Sequence, residues 1–233
     1  MTDLVVIVPS RGRPEAAADL MDAAAWDNGR WLYAEPLFVV DRADPRLREY
    51  RKVLRPAELH APESTTMVEA LNAAAAFLLS RDEPPFAIGF MGDDHRPRTP
   101  GWARLYLDAL REMGTGIVYG NDLLQGERIP TQVAMTADIV RALGYMAPPS
   151  LTHLFVDNFW KDLGEAAGCL RYLPDVVVEH MHPVAGKADW DEGHRRVNAP
   201  EMYQRDAAGY AAYRRMKLPV AVEKVRQLRA AHV

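Results

Sequence analysis

FAIGFMGDDHRPRTPGW, residues 86–102, joins an apolar run that reads as a buried strand to two adjacent carboxylates and a histidine, Asp93, Asp94 and His95. Like charges a few ångströms apart repel strongly in low dielectric. An acid pair at the end of a buried strand is therefore either solvated in a cleft or neutralised by a cation. This stretch alone leaves three readings open: a metal site, an acid–base pair, or a turn.

Working outward, the run Phe86–Met91 is one of a series. Leu4–Val8 is a β-branched strand ended by Pro9, followed by the loop Pro9–Arg13 and an Ala-rich helix over Pro14–Ala25. A second strand, Leu37–Val40, ends in Asp41 and the turn-like Arg42-Ala43-Asp44-Pro45. Thr66 and Glu69 make a capping-box pattern ahead of Val68, Leu71, Ala75 and Leu78 at helical spacing. Thr99 and Pro100 start a further helix, Gly114 and Gly116 stop it, and Ile117–Tyr119 is another strand. This alternation predicts an open α/β sheet whose ligands bind at the carboxyl ends of the strands, where the loops 9–13, 41–45 and 92–98 all fall.

Past residue 121 the order is less regular. It reads as a strand at Gln132–Met135, a short helix at Thr136–Leu143, a Pro-rich loop at Ala147–Ser150, a helix at Asn158–Ala167 and a strand at Val176–His182. Two helices follow, at Pro200–Met216 and Pro219–Ala231. Residues 1–120 and 121–197 read as two halves of one domain, with 198–233 as a helical extension.

Composition sets the outer limits. The chain has 233 residues, 48% hydrophobic and 26% charged, enough for one generous core and too apolar for global disorder. A net charge of −4 gives no overall attraction to nucleic acid or anionic membrane. The single cysteine, Cys169, cannot form an internal disulfide, which points to a reducing, cytoplasmic setting. No leader-like opening and no apolar run long enough to span a bilayer are seen, so a soluble protein is expected.

Several groups could act with the acid loop. In PDVVVEHMHP, strand alternation puts Val176, Val178, His180 and His182 on one face, so both histidines can reach one cation, or one can serve a neighbouring group. An Asp-plus-His set with water positions left open suits Mn²⁺ better than Zn²⁺. Asp157 stands among apolar neighbours just before a helix, where it is either an N-cap or a desolvated general base. Pro9-Ser10-Arg11-Gly12-Arg13 lacks the spacing of a P-loop or a dinucleotide fingerprint, yet it offers two guanidinium groups and a hydroxyl beside a helix N-terminus. The polar stretch 186–196, GKADWDEGHRR, is either a solvated loop or a lid anchored by Trp190, with Lys187, His194, Arg195 or Arg196 touching phosphate.

Taken in order, VVIVPSRGRPEAAADLMDA (5–23), FVVDRAD (38–44), EALNAAAAFLL (69–79), FMGDDHRPRTPGW (90–102), ADIVRALGYM (137–146) and VDNFWKDLGEAAGCLRYLPDVVVEHMH (156–182) resemble the GT-A glycosyltransferases, most closely the inverting family-2 type. The resemblance covers roughly residues 4–182 and lies in the shared order of loose motifs. It implies a Rossmann-like, mostly parallel α/β sheet with flanking helices, and a nucleoside-diphosphate sugar, such as a UDP or GDP sugar, as donor. It implies that Pro9, Ser10, Arg11 and Arg13 line the nucleotide pocket, that Asp41 contacts the base and that Asn72 lies near the base or ribose. Asp93 would face ribose or diphosphate, and Asp94 would hold a divalent metal, Mn²⁺ or Mg²⁺. Asp157 would be the catalytic base and His180 a second metal ligand, with His182 competing for that role. Gly92 stands where the family often has its first acid, so the roles of Asp93 and Asp94 are not separated by the pattern.

Two other readings compete. Nucleotidyl transfer also uses an Arg- and Gly-bearing loop and an acid-bound metal, but it has no need of a base at Asp157. A non-catalytic binding module would use the basic, Tyr-interleaved C-terminal segment, which could also hold an anionic acceptor such as a modified nucleic acid.

Overall fold

The capping box expected at Thr66 is formed: the Glu69 N–H donates to Thr66 Oγ1 at 3.1 Å and the Thr66 N–H to Glu69 Oε2 at 3.2 Å. It opens helix α3, Met67–Leu79, whose Val68, Leu71, Ala75 and Leu78 are buried at helical spacing. A computed structural model describes residues 3–23, 33–187, 189–190 and 192–231, with the backbone alone at 192 and 194. The expected helix end at 24–25 lies outside the described residues.

Strands β1 (Leu4–Pro9), β2 (Ala34–Val39), β3 (Leu59–His60) and β4 (Ala87–Phe90) run parallel. With β5 (His95–Pro97), β6 (Ile117–Asn121), β7 (Val133–Thr136) and β8 (Leu170–His180) they form one eight-stranded sheet in the order 3-2-1-4-7-6-8-5. β7 is antiparallel to both of its neighbours, and β5 is antiparallel to the distal half of β8. Both faces are covered, as the continuous apolar runs require. Along β1, Val5 and Ile7 face the layer that contains α3, α5 (Ala137–Leu143) and α6 (Val156–Ala167). Leu4, Val6 and Val8 face α1 (Pro14–Asp22), α2 (Leu47–Val53) and α4 (Trp102–Met113).

The chain closes with a short α7 (Glu192–Val197) inside the expected polar loop and with α8 (Pro200–Met216) and α9 (Leu218–Ala230). Tyr210, Tyr213, Leu218, Val222 and Val225 belong to the same core as Phe159, Trp160 and Leu163 of α6. Much of the basic character of α9 is used within the fold. Arg226 donates to the Ala166 carbonyl at 2.7 Å, Arg229 to that of Ala167 at 2.9 Å and Lys224 to that of Ala142 at 3.0 Å. These cations close the C-terminal ends of α6 and α5, where helix carbonyls lack internal partners. No described helix is long and apolar enough to cross a membrane.

β8 carries the feature that positions the site. Gly120 pairs with Leu173 and Asn121 with Val177, so residues 174–176 leave the ladder as a bulge. Thr99 Oγ1 pins the bulge, donating to the Asp175 carbonyl and accepting from the Val177 N–H at 2.8 Å. Gly120 has no room for a side chain, since a Cβ would strike the Val176 carbonyl and the Tyr106 hydroxyl. Gly120→Ala is expected to cost at least about 2 kcal/mol of stability, read as a lower urea midpoint with an unchanged m-value.

Candidate active site

The carboxyl ends of β1, β2, β4 and β8 and the N-terminus of α6 converge on a cavity of about 530 Å³. Pro9, Ser10, Arg11, Arg13, Asp41, Asp93, Asp94, Asp157, His180 and His182 all line it. Asn72 is the exception among the residues that the resemblance assigns to the site. Its carbonyl oxygen accepts from the Met146 and Ala147 N–H groups at 2.9 and 3.0 Å and its amide donates to the Ala147 carbonyl at 2.9 Å. Its polar atoms are committed to holding the 146–147 turn, and it is not among the residues of the cavity wall.

Asp93 is 3% exposed and sits at the end of a hydrogen-bond chain. Ser10 Oγ donates to Asp93 Oδ2 at 2.6 Å, which leaves the Tyr50 hydroxyl, also 2.6 Å away, to donate to Ser10. Tyr50 in turn accepts from the Arg13 N–H at 2.8 Å. The Arg13 guanidinium lies 3.4 Å from Asp93 Oδ1. Burial pushes the Asp93 carboxyl up to about 6, with neighbouring Asp94 adding to the rise and Arg13, Ser10 and Arg96 opposing it. Tyr50 comes from α2, an element that periodicity does not announce, because only two of its seven residues, Leu47 and Tyr50, are buried.

The β5–β8 register places His95 opposite His180, and their rings stack at 4.2 Å. Asp94 lies between them, with Oδ1 3.3 Å from His95 Nδ1 and Oδ2 3.2 Å from His180 Nε2. One donor atom from each of the three residues falls within 4.8 Å of the others. His95 Nε2 and His180 Nδ1 are buried with no hydrogen-bond partner among the described residues. Burial, and then the neighbouring His180, lower the pKa of His95 and favour the neutral imidazole that a metal requires. A clustered carboxylate and two imidazoles fit a divalent transition cation. The residue that groups with Asp94 and His180 in a cluster able to hold a metal is His95. His182 follows the end of β8 and accepts from the Val184 N–H at 3.2 Å, capping a one-turn 3₁₀ segment, with its ring 5.0 Å from that of His180.

Asp157 occupies the first turn of α6, and Phe155 is the N-cap residue. Its Oδ1 accepts from the Asn158 N–H at 2.8 Å, and burial raises its pKa above the usual carboxylate range. Phe155 has φ 66°, a left-handed conformation that costs a bulky residue about 1–3 kcal/mol. Its ring lies 5.3 Å from that of Tyr203, which stands 57% exposed on the cavity wall rather than packing into the domain like Tyr210 and Tyr213. His153, Phe155, Trp160 and Tyr203 also line the cavity; Phe155 and Trp160 stand out in the sequence only as apolar neighbours of Asp157. Arg196, at the end of the polar stretch, and Asn198 just beyond it also reach the wall, whereas Lys187 pairs with Glu179 at 2.8 Å. The side chain of His194 lies outside the described residues. Asp122 is committed to structure. Burial pushes its carboxyl up, but the N–H groups of Leu124, Gln125 and Gly126 and the Thr131 hydroxyl outweigh that and hold it low.

No protein-family model matches the chain, and no curated protein matches it in sequence. Solved structures do match. The mannosyltransferase PcManGT from Pyrobaculum calidifontis, in complex with GDP-Man and Mn²⁺, superposes with a TM-score of 0.60 at 15% identity, over 98% of this chain and 74% of that one. S. aureus TarS 1–349 in complex with UDP-GlcNAc gives 0.56 at 14% identity, over 93% and 73%. The chain has a GT-A-like fold. Within the GT-A-like fold the cavity opens at the carboxyl ends of the strands, where the sheet order reverses from β1 to β4.

The electrostatics of this GT-A-like cavity give one clear pH effect. Burial, together with the charges of Arg196 and Arg13, lowers the pKa of His153 to about 4 against the opposing pull of Asp206. The unfolded chain binds that proton near pH 6.5, and the folded one only near pH 4. Stability from this group is therefore intact above pH 6.5 and declines as pH falls toward 4. His153→Gln should lose less stability than the parent between pH 7 and pH 5 in paired urea denaturation.

Proposed function

We propose that this protein transfers a sugar from a nucleoside-diphosphate sugar to an acceptor hydroxyl with inversion at the anomeric carbon. The observation that carries this reading is that a single cavity holds Arg11 and Arg13, the Asp94–His95–His180 cluster, and Asp157 at the first turn of α6. PcManGT and TarS, which share the fold, are solved with GDP-Man and UDP-GlcNAc.

In this reading Pro9, Ser10, Arg11 and Arg13 bind the nucleotide side and Asp41 the base. Asp93, fixed by Ser10 and Arg13, orients the ribose or diphosphate. Asp94, His95 and His180 would hold the divalent cation, with His182 beside them; when bound, it supplies Lewis-acid stabilisation to the diphosphate. Arg11, Arg13 and Arg196 offset the negative charge that grows as the sugar C1–O bond to diphosphate breaks. The acceptor oxygen forms the new bond to C1 from the opposite face, and its proton passes to Asp157. Nucleotidyl transfer would leave Asp157 without a task. The commitments of Lys224, Arg226 and Arg229 within the fold weaken the case for a nucleic-acid-binding tail.

Calorimetric titration with GDP, UDP and the other nucleoside diphosphates is expected to show one that binds with Mn²⁺ and weakly without it, with that enhancement lost in Asp94→Ala. Absence of binding to any diphosphate, with or without Mn²⁺, would overturn the reading. With the donor so identified, Asp157→Asn should lower kcat by about 10²–10⁴-fold while leaving diphosphate affinity unchanged. Since burial raises the Asp157 pKa, the acidic limb of the wild-type kcat profile should lie above the ordinary carboxylate range, with activity present at higher pH and lost below it.

A further inference from the structure

Helix α8 meets the cavity wall through Asp206, whose carboxylate is 0% exposed and has no part in the chemistry above. It accepts N–H groups from three consecutive residues: Thr152 at 3.1 Å, His153 at 2.8 Å and Leu154 at 2.8 Å. Three converging amides can satisfy a buried carboxylate without a cation, and the carboxylate in turn fixes the backbone that presents them. Gly209, about one turn further along α8, permits this approach, since a Cβ there would meet the Ser150 carbonyl oxygen at 3.1 Å. From the other side, the Val68 N–H of α3 donates to the Thr152 carbonyl at 3.2 Å.

The residue after the clamped amides is Phe155, at φ 66°, and two further on is Asp157. A left-handed conformation at a residue with a large ring persists only where the surroundings over-determine it. Here those surroundings are the clamped amides on one side and the first turn of α6 on the other. Without the clamp, Phe155 is free to relax to negative φ, which swings the start of α6 and re-aims the carboxylate it carries.

We propose that Asp206 is a positioning residue: clamped on the amides of 152–154, it sets the entry of α6 and so the aim of Asp157 into the cavity, which makes α8 a part of the reactive site. The role given to Asp157 rests on the transferase reading; the clamp does not.

The test uses the full chain with Asp206→Asn, which keeps the shape but replaces one acceptor oxygen with a donor. Three quantities are read below both melting temperatures: amide hydrogen exchange, affinity for the nucleoside diphosphate that wild type binds, and turnover of the corresponding nucleotide sugar with water as acceptor. Expected are faster exchange confined to residues 152–158, diphosphate affinity and KM within about twofold of wild type, and kcat lower by at least about tenfold. Gly209→Ala, which nudges α8 outward but keeps the carboxylate, should shift the same quantities in the same direction and less; it decides the matter if Asp206→Asn does not fold. A kcat within about twofold of wild type despite faster exchange at 152–158 would overturn the proposal, as would a joint collapse of kcat, KM and diphosphate affinity with exchange accelerated throughout. If wild type binds no nucleoside diphosphate, with or without Mn²⁺, the transferase reading fails by itself. Exchange at 152–158 then decides the clamp: local acceleration keeps it, and unchanged protection removes it.

Discussion

Two carboxylates on consecutive residues, one of them buried, are the constraint around which the cavity is organised. Asp93 can be buried beside Asp94 only because the opposite side of its carboxyl group meets a hydroxyl and a guanidinium. Those partners come from the loop after β1, and that loop is itself held by Tyr50 of α2 and by Asp44, which accepts the Gly12 N–H at 2.8 Å. The electrostatic demand of one acid thus ties together the ends of β1, β2 and β4. It also gives the two acids different surroundings: Asp93 faces the loop after β1, and Asp94 faces the two histidines.

Much of this was legible in the amino-acid order, for reasons that differ by element. Strands β1 and β4 and helix α3 are buried enough that their composition alone betrays them, and the capping box at Thr66 is a local device that needs no tertiary partner. Strand β5 is three residues, His95–Pro97, and exists only because β8 pairs with it, so no periodicity could mark it. The third member of the metal-capable cluster was hidden for the same reason. His95 becomes a partner of His180 through register, not spacing, whereas His182 keeps the right parity in sequence but falls beyond the end of β8 at His180. Asn72 is the opposite case: its amide suits ribose by type, and in the structure it bonds to the 146–147 turn.

The C-terminal helices show what charge counting leaves out. A segment rich in Arg and Lys with interleaved tyrosines reads equally well as a binding surface or as packing. The difference lies in whether carbonyls stand within reach, as those of Ala142, Ala166 and Ala167 do. Tyr210 and Tyr213 follow the packing reading through bonds to Asp162 and Tyr145, while Tyr203, on the same helix, is left at the cavity.

The clamp between Asp206 and the 152–154 amides spans more than fifty residues of sequence, and the pairing of His95 with His180 spans more than eighty. Loops after β1 and β4 can meet once the first hundred residues exist, but the histidine cluster waits for β8, and the wall bearing Phe155 and Asp157 waits for α8. On the ribosome, the side of the cavity bearing Arg11, Arg13 and Asp93 therefore has all its parts before the opposite wall does. A chain interrupted before α8 emerges would carry the acid pair and both stacked histidines on a cavity still missing the tether of one side.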